Sequence, residues 1–193
     1  MGLVRKAAKL LGKLILGAEL ALLTGCAGAG RRAAQADRVQ LDVPFYAGAS
    51  DRGGPSTLAE ILSFWDQPTE PAQLQEEAKS GAPADLLLAA HERGMQARSF
   101  QATAQDVREE LKLGHPILAY LGLGPRFFTG ERYVVITGFD DARGGFFVHA
   151  KSEANRFVAY GSFMSKWERT GRWAIVVLPA GEATMSDRAA RSL

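Results

Sequence analysis

The sequence predicts one α+β domain, in which a helical half and an antiparallel sheet half form two lobes with a cleft between them. Residues 54–113 contain amphipathic segments with helical spacing, whereas residues 115–179 contain β-branched and aromatic runs bounded by Gly, Pro, Asp and Asn. Helices followed by strands are typical of the α+β class. We place the domain at residues 40–179, where about 140 residues can bury a core without cross-links.

Residues 1–25 have the pattern of a secretory signal peptide. Basic residues precede the apolar run LILGAELALL, which is too short to span a bilayer. The run ends in LTGC at Cys26, which resembles the bacterial lipobox, although Glu19 is unfavourable within it. The resemblance implies cleavage before Cys26 and lipidation of this residue, the only cysteine in the chain. The alternative is an amphipathic N-terminal helix with a chance cysteine.

This resemblance also implies a location. Ala27 after the lipidated residue favours the outer membrane of a Gram-negative envelope, facing the periplasm. Residues 26–39, rich in Ala, Gly and Arg, are then a flexible tether from the lipidated cysteine to the domain. Residues 180–193 show no periodicity, so we expect a mobile tail.

Within the domain, each element has its own pattern. VQLDVPFY (residues 39–46) alternates apolar and polar residues, which predicts a strand. We expect N-caps at Thr69, Thr103 and Ser162, because a hydroxyl before a helix accepts from its free N–H groups. Helices are predicted over residues 54–66, 69–81, 82–94, 103–114 and 162–171, and further strands over residues 95–101, 115–123, 132–140, 144–150, 156–161 and 172–179.

Charge and motifs exclude several functions. The 193 residues include 23 Lys and Arg against 21 Asp and Glu, and a net charge of +2 is too small to indicate nucleic-acid binding. No spacing of His, Cys or acidic residues predicts a metal site, and no phosphate-binding loop predicts a nucleotide, so we expect no cofactor.

The stretch VPFYAGASDRGGPSTLAEILSFW (residues 43–65) predicts a loop that enters a helix at Gly53-Gly54-Pro55. Proline suits the first turn, since its missing N–H would have had no partner there. The free N–H groups of such a junction favour a thiolate, and enzymes place reactive cysteines at these positions. No cysteine is present here.

The order of segments VPFY, GGP on a helix, LLAAHERGMQARSF, LKLGHPILAYLGLG, RYVVITGFD and WAIVVLP resembles the bacteriocin-processing, double-glycine leader type of papain-like cysteine peptidase, in its lipoprotein branch. The resemblance covers residues 41–179. It implies a papain-like fold with N-terminal helices against an antiparallel sheet.

The family pattern places a Gln, a nucleophilic Cys, a basic His and an orienting Asp around the cleft. The resemblance puts Gly48 at the Gln, Gly53 at the Cys and Arg132 at the His, and the Asp falls near His149-Ala150. An arginine cannot act as a base, because its guanidinium does not deprotonate in proteins. The resemblance therefore implies a pseudopeptidase with no catalytic residue, whose vestigial cleft comprises Gly48, Gly53, Gly54, Arg132, His149 and Ala150.

Other candidate catalytic groups have simpler interpretations. Ser50 or Ser56 would need a histidine as base. We expect a structural role for His91 near a helix end, a turn or surface role for His115, and a place on the cleft rim for His149. The acidic pairs at 109–110 and 140–141 are expected at the solvated surface.

Three functions remain open. The first is binding of a peptide or protein segment in the vestigial cleft without cleavage, with Arg132 favouring an acidic segment or a chain terminus, unless this side chain points outward. The second is a structural or assembly lipoprotein that docks another envelope component through an outer face around Phe127 and Phe128. The third, an active peptidase, requires a different alignment of the motifs.

Overall fold

A computed structural model describes residues 37–47, 53–123, 130–150, 153–184 and 187, with backbone alone for 130 and 131. These residues belong to one compact unit, Ala36–Leu193. The predicted signal peptide, Cys26 and nearly all of the predicted tether lie outside the described residues, as do Gly48, Ser50, Phe127 and Phe128.

Five α-helices and seven strands make up the described part of the chain. The helices are α1 (Gly54–Phe64), α2 (Pro71–Glu77), α3 (Pro83–His91), α4 (Ala104–Lys112) and α5 (Tyr160–Trp167), and a 3₁₀ turn, Glu168–Thr170, follows α5. The strands are β1 (Arg38–Gln40), β2 (Gln96–Gln101), β3 (Ile117–Leu123), β4 (Gly130–Asp140), β5 (Gly145–Ala150), β6 (Glu153–Ala159) and β7 (Trp173–Leu178).

All seven strands form one antiparallel sheet in the order β2-β7-β3-β4-β5-β6, and β1 pairs with the end of β4. The predicted α+β class, with N-terminal helices against an antiparallel sheet, is confirmed. Because β3 and β4 are central, both of their faces are covered, and their apolar runs are nearly continuous rather than alternating.

The two faces of the sheet carry separate hydrophobic clusters. On one face, the α1 side chains Leu58 and Ile61 pack in a cluster with Tyr133 and Val135 of β4. On the other face, the neighbouring β4 residues pack with α4 and α5. Successive side chains of a strand point to opposite faces, so β4 supplies both clusters from one segment.

Several predicted details of the elements are wrong. Residues 41–46 are not in a strand, since the ladder to β4 ends at Gln40. Thr69 does not cap α2; its hydroxyl donates to the Gln67 carbonyl, and the N-cap is Glu70. Ser162 lies inside α5, which begins two residues earlier. The predicted cap at Thr103 is confirmed: it forms a reciprocal capping box with Asp106.

The acidic pair at 140–141 is also less exposed than predicted. Asp140 is buried and accepts from the Arg143 backbone N–H at 3.0 Å. Asp141 accepts from the Tyr160 hydroxyl at 2.6 Å and from Arg108 at 3.1 Å, which joins α4 and α5 to the β4–β5 turn. Burial, and then the hydrogen bond to Asp141, raise the pKa of Tyr160 well above its usual range.

Contacts with the domain continue past residue 180, where the mobile tail was expected to begin. Thr184 is buried, and its hydroxyl lies 3.2 Å from an Arg98 guanidinium nitrogen of β2. The Thr184 hydroxyl also lies 2.6 Å from a carboxylate oxygen of Asp187. This segment therefore packs along the β2 edge of the sheet.

Gly138 lets β1 lie close to β4, and its replacement gives a test of this packing. A Cβ atom at Gly138 would lie 2.2 Å from the Val39 carbonyl oxygen, which is backbone and cannot move aside cheaply. We expect Gly138→Ala to lower the free energy of unfolding by about 3 kcal/mol, measured by urea denaturation.

The matched control is Gly161→Ala on α5, where a Cβ would meet nothing within 4 Å. Helix propensity favours alanine there by up to about 1 kcal/mol, so this variant should be as stable as the wild type or more so. Equal effects of the two substitutions would contradict the proposed close approach of β1 and β4.

Candidate functional site

The start of α1 is the position where the predicted cleft would hold its nucleophile. Gly53 has φ +86°, and among the described residues a Cβ there would meet only the Pro55 ring, at 4.0 Å. Gly54 differs, since its Cβ would lie 2.6 Å from Leu86 and 3.1 Å from the Tyr133 ring. The helix therefore begins in tight contact with the sheet at Gly54 and, at Gly53, beside space that no described residue fills.

No side chain of the described residues caps this helix. Gly53 at the N-cap has no side-chain acceptor, and proline occupies the first turn. The N–H groups of the first turn thus have no described side-chain partner, and they carry the partial positive charge of the helix dipole. Such a helix start can hold a carbonyl or carboxylate oxygen of a bound segment.

The alternation of β4 separates Arg132 from this helix start. Tyr133 faces α1, and its hydroxyl donates to the Gly81 carbonyl at 2.8 Å. Arg132 is one residue away and lines a pocket on the α5 side of the sheet, together with Ala150. Of the predicted cleft residues, the structure brings Arg132 and Ala150 together, but not with Gly53 and Gly54.

His149 lies on the α1 face, and the prediction that it sits on the cleft rim is wrong. Its side chain is 2% exposed, and Nδ1 lies 3.1 Å from Oε2 of Glu60, which is equally buried. Because carboxylate oxygens accept, the ring nitrogen Nδ1 donates this hydrogen bond. The Phe45 ring packs edge-on against the imidazole, with ring centroids 5.1 Å apart.

Glu60 also binds the segment that precedes the Gly48 region. Its Oε1 accepts from the Tyr46 backbone N–H at 3.2 Å, and the Tyr46 hydroxyl lies 2.8 Å from Ser63 Oγ on the same helix. One carboxylate on α1 therefore fixes both the end of β5, through His149, and the chain that leads towards the start of α1.

Two polar atoms near this carboxylate have no hydrogen-bond partner within the described residues. These are His149 Nε2 and Ser56 Oγ, and both are buried. Ser56 lies one turn before Glu60 on α1. The imidazole and the hydroxyl do not hydrogen-bond to each other, so the structure forms no serine–histidine dyad here.

A second buried pair lies at the other helix–sheet interface. His115 Nδ1 is 2.7 Å from Glu110 Oε2, and both side chains are almost fully buried. The surface roles predicted for His115 and for the 109–110 acidic pair are therefore wrong for these two residues. On the far side of the ring, Nε2 lies 3.6 Å from Glu182, in the segment after β7. His91, by contrast, binds the Met95 carbonyl at the end of α3, a structural contact as predicted.

Glu60 is not among the site residues predicted from the sequence, although the pattern of α1 contains a signal for it. Glu60 is the only charged residue in α1, and nine consecutive residues of this helix are buried. A helix that is apolar on all sides is buried on all sides, and a single carboxylate in it must find a partner in the protein. That partner comes from β5, some 90 residues later, which local patterns cannot predict.

Among the described residues, no group of three or more His, Cys, Asp or Glu side chains could hold a metal ion. None of the described helices is long and apolar enough to cross a membrane. The start of α1 offers backbone donors and space that no described residue fills, but no thiol, since the sole cysteine is Cys26.

No protein-family model and no curated protein matches the sequence. Solved structures do match. A double glycine motif protease from an AMS/PCAT transporter, solved in complex with the leader peptide, has a TM-score of 0.59 and 16% identity, covering 74% of this chain and 95% of its own. The peptidase domain of Streptococcus ComA, a bifunctional ABC transporter of a quorum-sensing pathway, has a TM-score of 0.56 and 23% identity, covering 73% and 98%.

A C39-like peptidase from Bacillus anthracis has a TM-score of 0.60 and 16% identity, covering 77% of this chain and 99% of its own. The three matches cover 73–77% of this chain and 95–99% of the matched chains. At these sequence identities the three matches establish the fold but not the activity. The described domain thus has the papain-like fold of the C39 double-glycine peptidases.

The buried hydrogen bonds of Glu60 should contribute strongly to stability. In Glu60→Ala, the Tyr46 N–H and the His149 ring would both lose their acceptor inside the protein. Such unsatisfied groups cost about 1–3 kcal/mol each, so we expect a loss of about 2–4 kcal/mol in urea denaturation. Glu60→Gln keeps one acceptor oxygen and should lose less.

A double-mutant cycle with His149→Ala separates the pair from general packing. We expect a coupling of about 1.5–3 kcal/mol between positions 60 and 149. Glu92→Ala, an exposed glutamate at the end of α3, should change stability by less than about 0.5 kcal/mol. Additive losses at 60 and 149 would rule out the hydrogen bond as the stabilising contact.

Proposed function

We propose that this protein is a catalytically inactive relative of the double-glycine cysteine peptidases, which binds a peptide or protein segment at the start of α1 without cutting it. The observation that carries the proposal is Gly53: the N-cap position of α1 has no side chain and lies beside backbone donors and space that no described residue fills. Its occupant would be held by its backbone carbonyls or terminal carboxylate.

The loss of rate expected without a nucleophile or a base supports catalytic inactivity. Loss of the nucleophile or the base alone costs a triad hydrolase about a million-fold in rate. This corresponds to about 8 kcal/mol of barrier, at 1.36 kcal/mol per tenfold change. Gly53 has no nucleophile, and an arginine such as Arg132, on the other face of the sheet, cannot act as a base because its guanidinium does not give up its proton.

His149 is a poor substitute base for the same reasons that make it a good structural residue. Nδ1 is bound to Glu60, and Nε2 is buried within the protein. A general base must reach the proton it removes, directly or through one water. A substrate at the open space beside Gly53 would have no described path to this buried nitrogen.

Peptide binding is supported by the fold. One structure with this fold is a peptidase in complex with a leader peptide. A fold alone does not carry a function, so the proposal depends on the geometry at Gly53 and on the tests below.

To test peptide binding, the full chain in detergent is incubated with a diverse peptide library, and both products and retained peptides are read by mass spectrometry. We expect a retained, uncut set with a shared motif. Gly53→Trp should abolish retention, because its side chain would fill the open space. Gly53→Ala should retain the peptides and serves as the control, since any side chain at φ +86° is strained.

The alternatives give different results in the same experiment. Specific cleavage would overturn inactivity and direct attention to Ser56 and His149. An absence of both retention and cleavage would overturn peptide binding and favour a docking lipoprotein. Equal loss of retention in the Ala and Trp variants would mean that backbone strain, rather than occupancy of the space, is responsible.

We further propose that the domain is tethered to the bacterial envelope through Cys26, at the outer membrane. The signal pattern and the LTGC sequence support this. In a bacterial host fed radiolabelled palmitate, the wild-type protein should incorporate label and fractionate with membranes. Cys26→Ser should do neither, because the chain has no other thiol. Label retained in Cys26→Ser would contradict lipidation at this residue.

A further inference from the structure

A pocket of about 440 Å³ lies on the α5 side of the sheet, opposite the face that packs on α1. Its floor is apolar and rigid. Leu121, Val134, Val148 and Phe163 line it, and each of them is also a buried member of the second hydrophobic cluster. Their positions are therefore set by core packing and do not depend on a ligand.

Three cations line the same pocket: Arg132 from β4, Arg156 from β6 and Lys166 from α5. No described lining residue is acidic, and Arg132 already has an interaction of its own within the protein. The carboxylate nearest to Arg156 that the structure gives is Glu153, at 3.8 Å and on an exposed side chain, so that ion pair is weak. Lys166 makes no ion pair with any described residue.

The combination restricts the ligand class. The positive charges of Arg156 and Lys166 beside an apolar floor attract an anion, and an apolar group attached to that anion gains free energy by leaving water for the floor. A bare phosphate or a sugar would leave the apolar floor of the pocket exposed to water. At the lower end of the 300–1,000 Å³ typical of ligand pockets, the volume suits a small molecule or the last residues of a peptide.

We propose that this pocket binds a carboxylate that carries a compact apolar group, with the carboxylate near Arg156 and Lys166 and the apolar group against Leu121, Val134 and Phe163. Both a medium-chain fatty acid and a peptide ending in apolar residues have this chemistry. The site lies on the opposite face of the sheet from Gly53, so it goes beyond the proposed peptide binding at α1 and stands without it.

Calorimetric titration of the full chain in maltoside micelles tests the site with two matched ligand pairs. The first is octanoate against octanamide, and the second is N-acetyl-Leu-Phe with a free carboxylate against its C-terminal amide. Empty micelles titrated in parallel correct for partitioning. We expect at least one acid to bind about tenfold more tightly than its amide, and this advantage to shrink as salt is raised.

Two variants and their controls locate the binding. Lys166→Glu should weaken binding of the acid about tenfold or more, whereas Lys79→Glu, an exposed lysine outside the pocket with the same change of charge, should alter it less than about twofold. Ser162→Trp should block the pocket, whereas Ser165→Trp, exposed on the same helix but not lining the pocket, should not.

The outcomes are distinct. Binding of octanoate alone supports the site with a fatty acid as its source, and binding of the peptide acid alone supports it with a chain terminus. Equal binding of acids and amides overturns the role of the cations. Binding that survives both Lys166→Glu and Ser162→Trp places the ligand elsewhere and overturns the site. Gly53→Trp should leave acid binding unchanged, so failure here is separable from failure of the peptide proposal.

Discussion

The burial of one carboxylate, Glu60, constrains the arrangement around the start of α1. Helix α1 is enclosed over nine residues, and Glu60 is its only charge. Because a buried carboxylate without partners is costly, the fold must bring donors to it. The Tyr46 N–H comes from the chain before the helix, and the His149 ring comes from the end of β5. These two hydrogen bonds tie the helix, its entry segment and the sheet into one unit.

The same unit fixes the geometry of the helix start. Close packing of Gly54 against Leu86 and Tyr133 holds the first turn, and no described residue fills the space beside Gly53. His149, which hydrogen-bonds to Glu60, is buried against its partners. The start of α1 thus has a defined geometry and no thiol, since Cys26 is the only cysteine of the chain. A rigid helix start with free donors can still bind a segment of chain.

The strand alternation of β4 divides the molecule into two different surfaces. Tyr133 belongs to the face that packs on α1, and Arg132, one residue earlier, belongs to the face that packs on α5. Positive charge is thus placed away from the helix start, over an apolar floor. Solved peptidase domains of 16–23% identity share this fold, so the sheet and helices accommodate very different side chains at their surfaces.

The sequence by itself determined the α+β class and most of the elements, because apolar periodicity and turn residues act over a few neighbouring positions. It also determined that the helix start has no thiol. Only the tertiary structure decided the roles of His115, His149 and Glu60, and the face on which Arg132 lies. These depend on contacts such as that between positions 60 and 149, which form only when the sheet is assembled. A local pattern shows that a charge is enclosed, but its partner is chosen by packing across the whole chain.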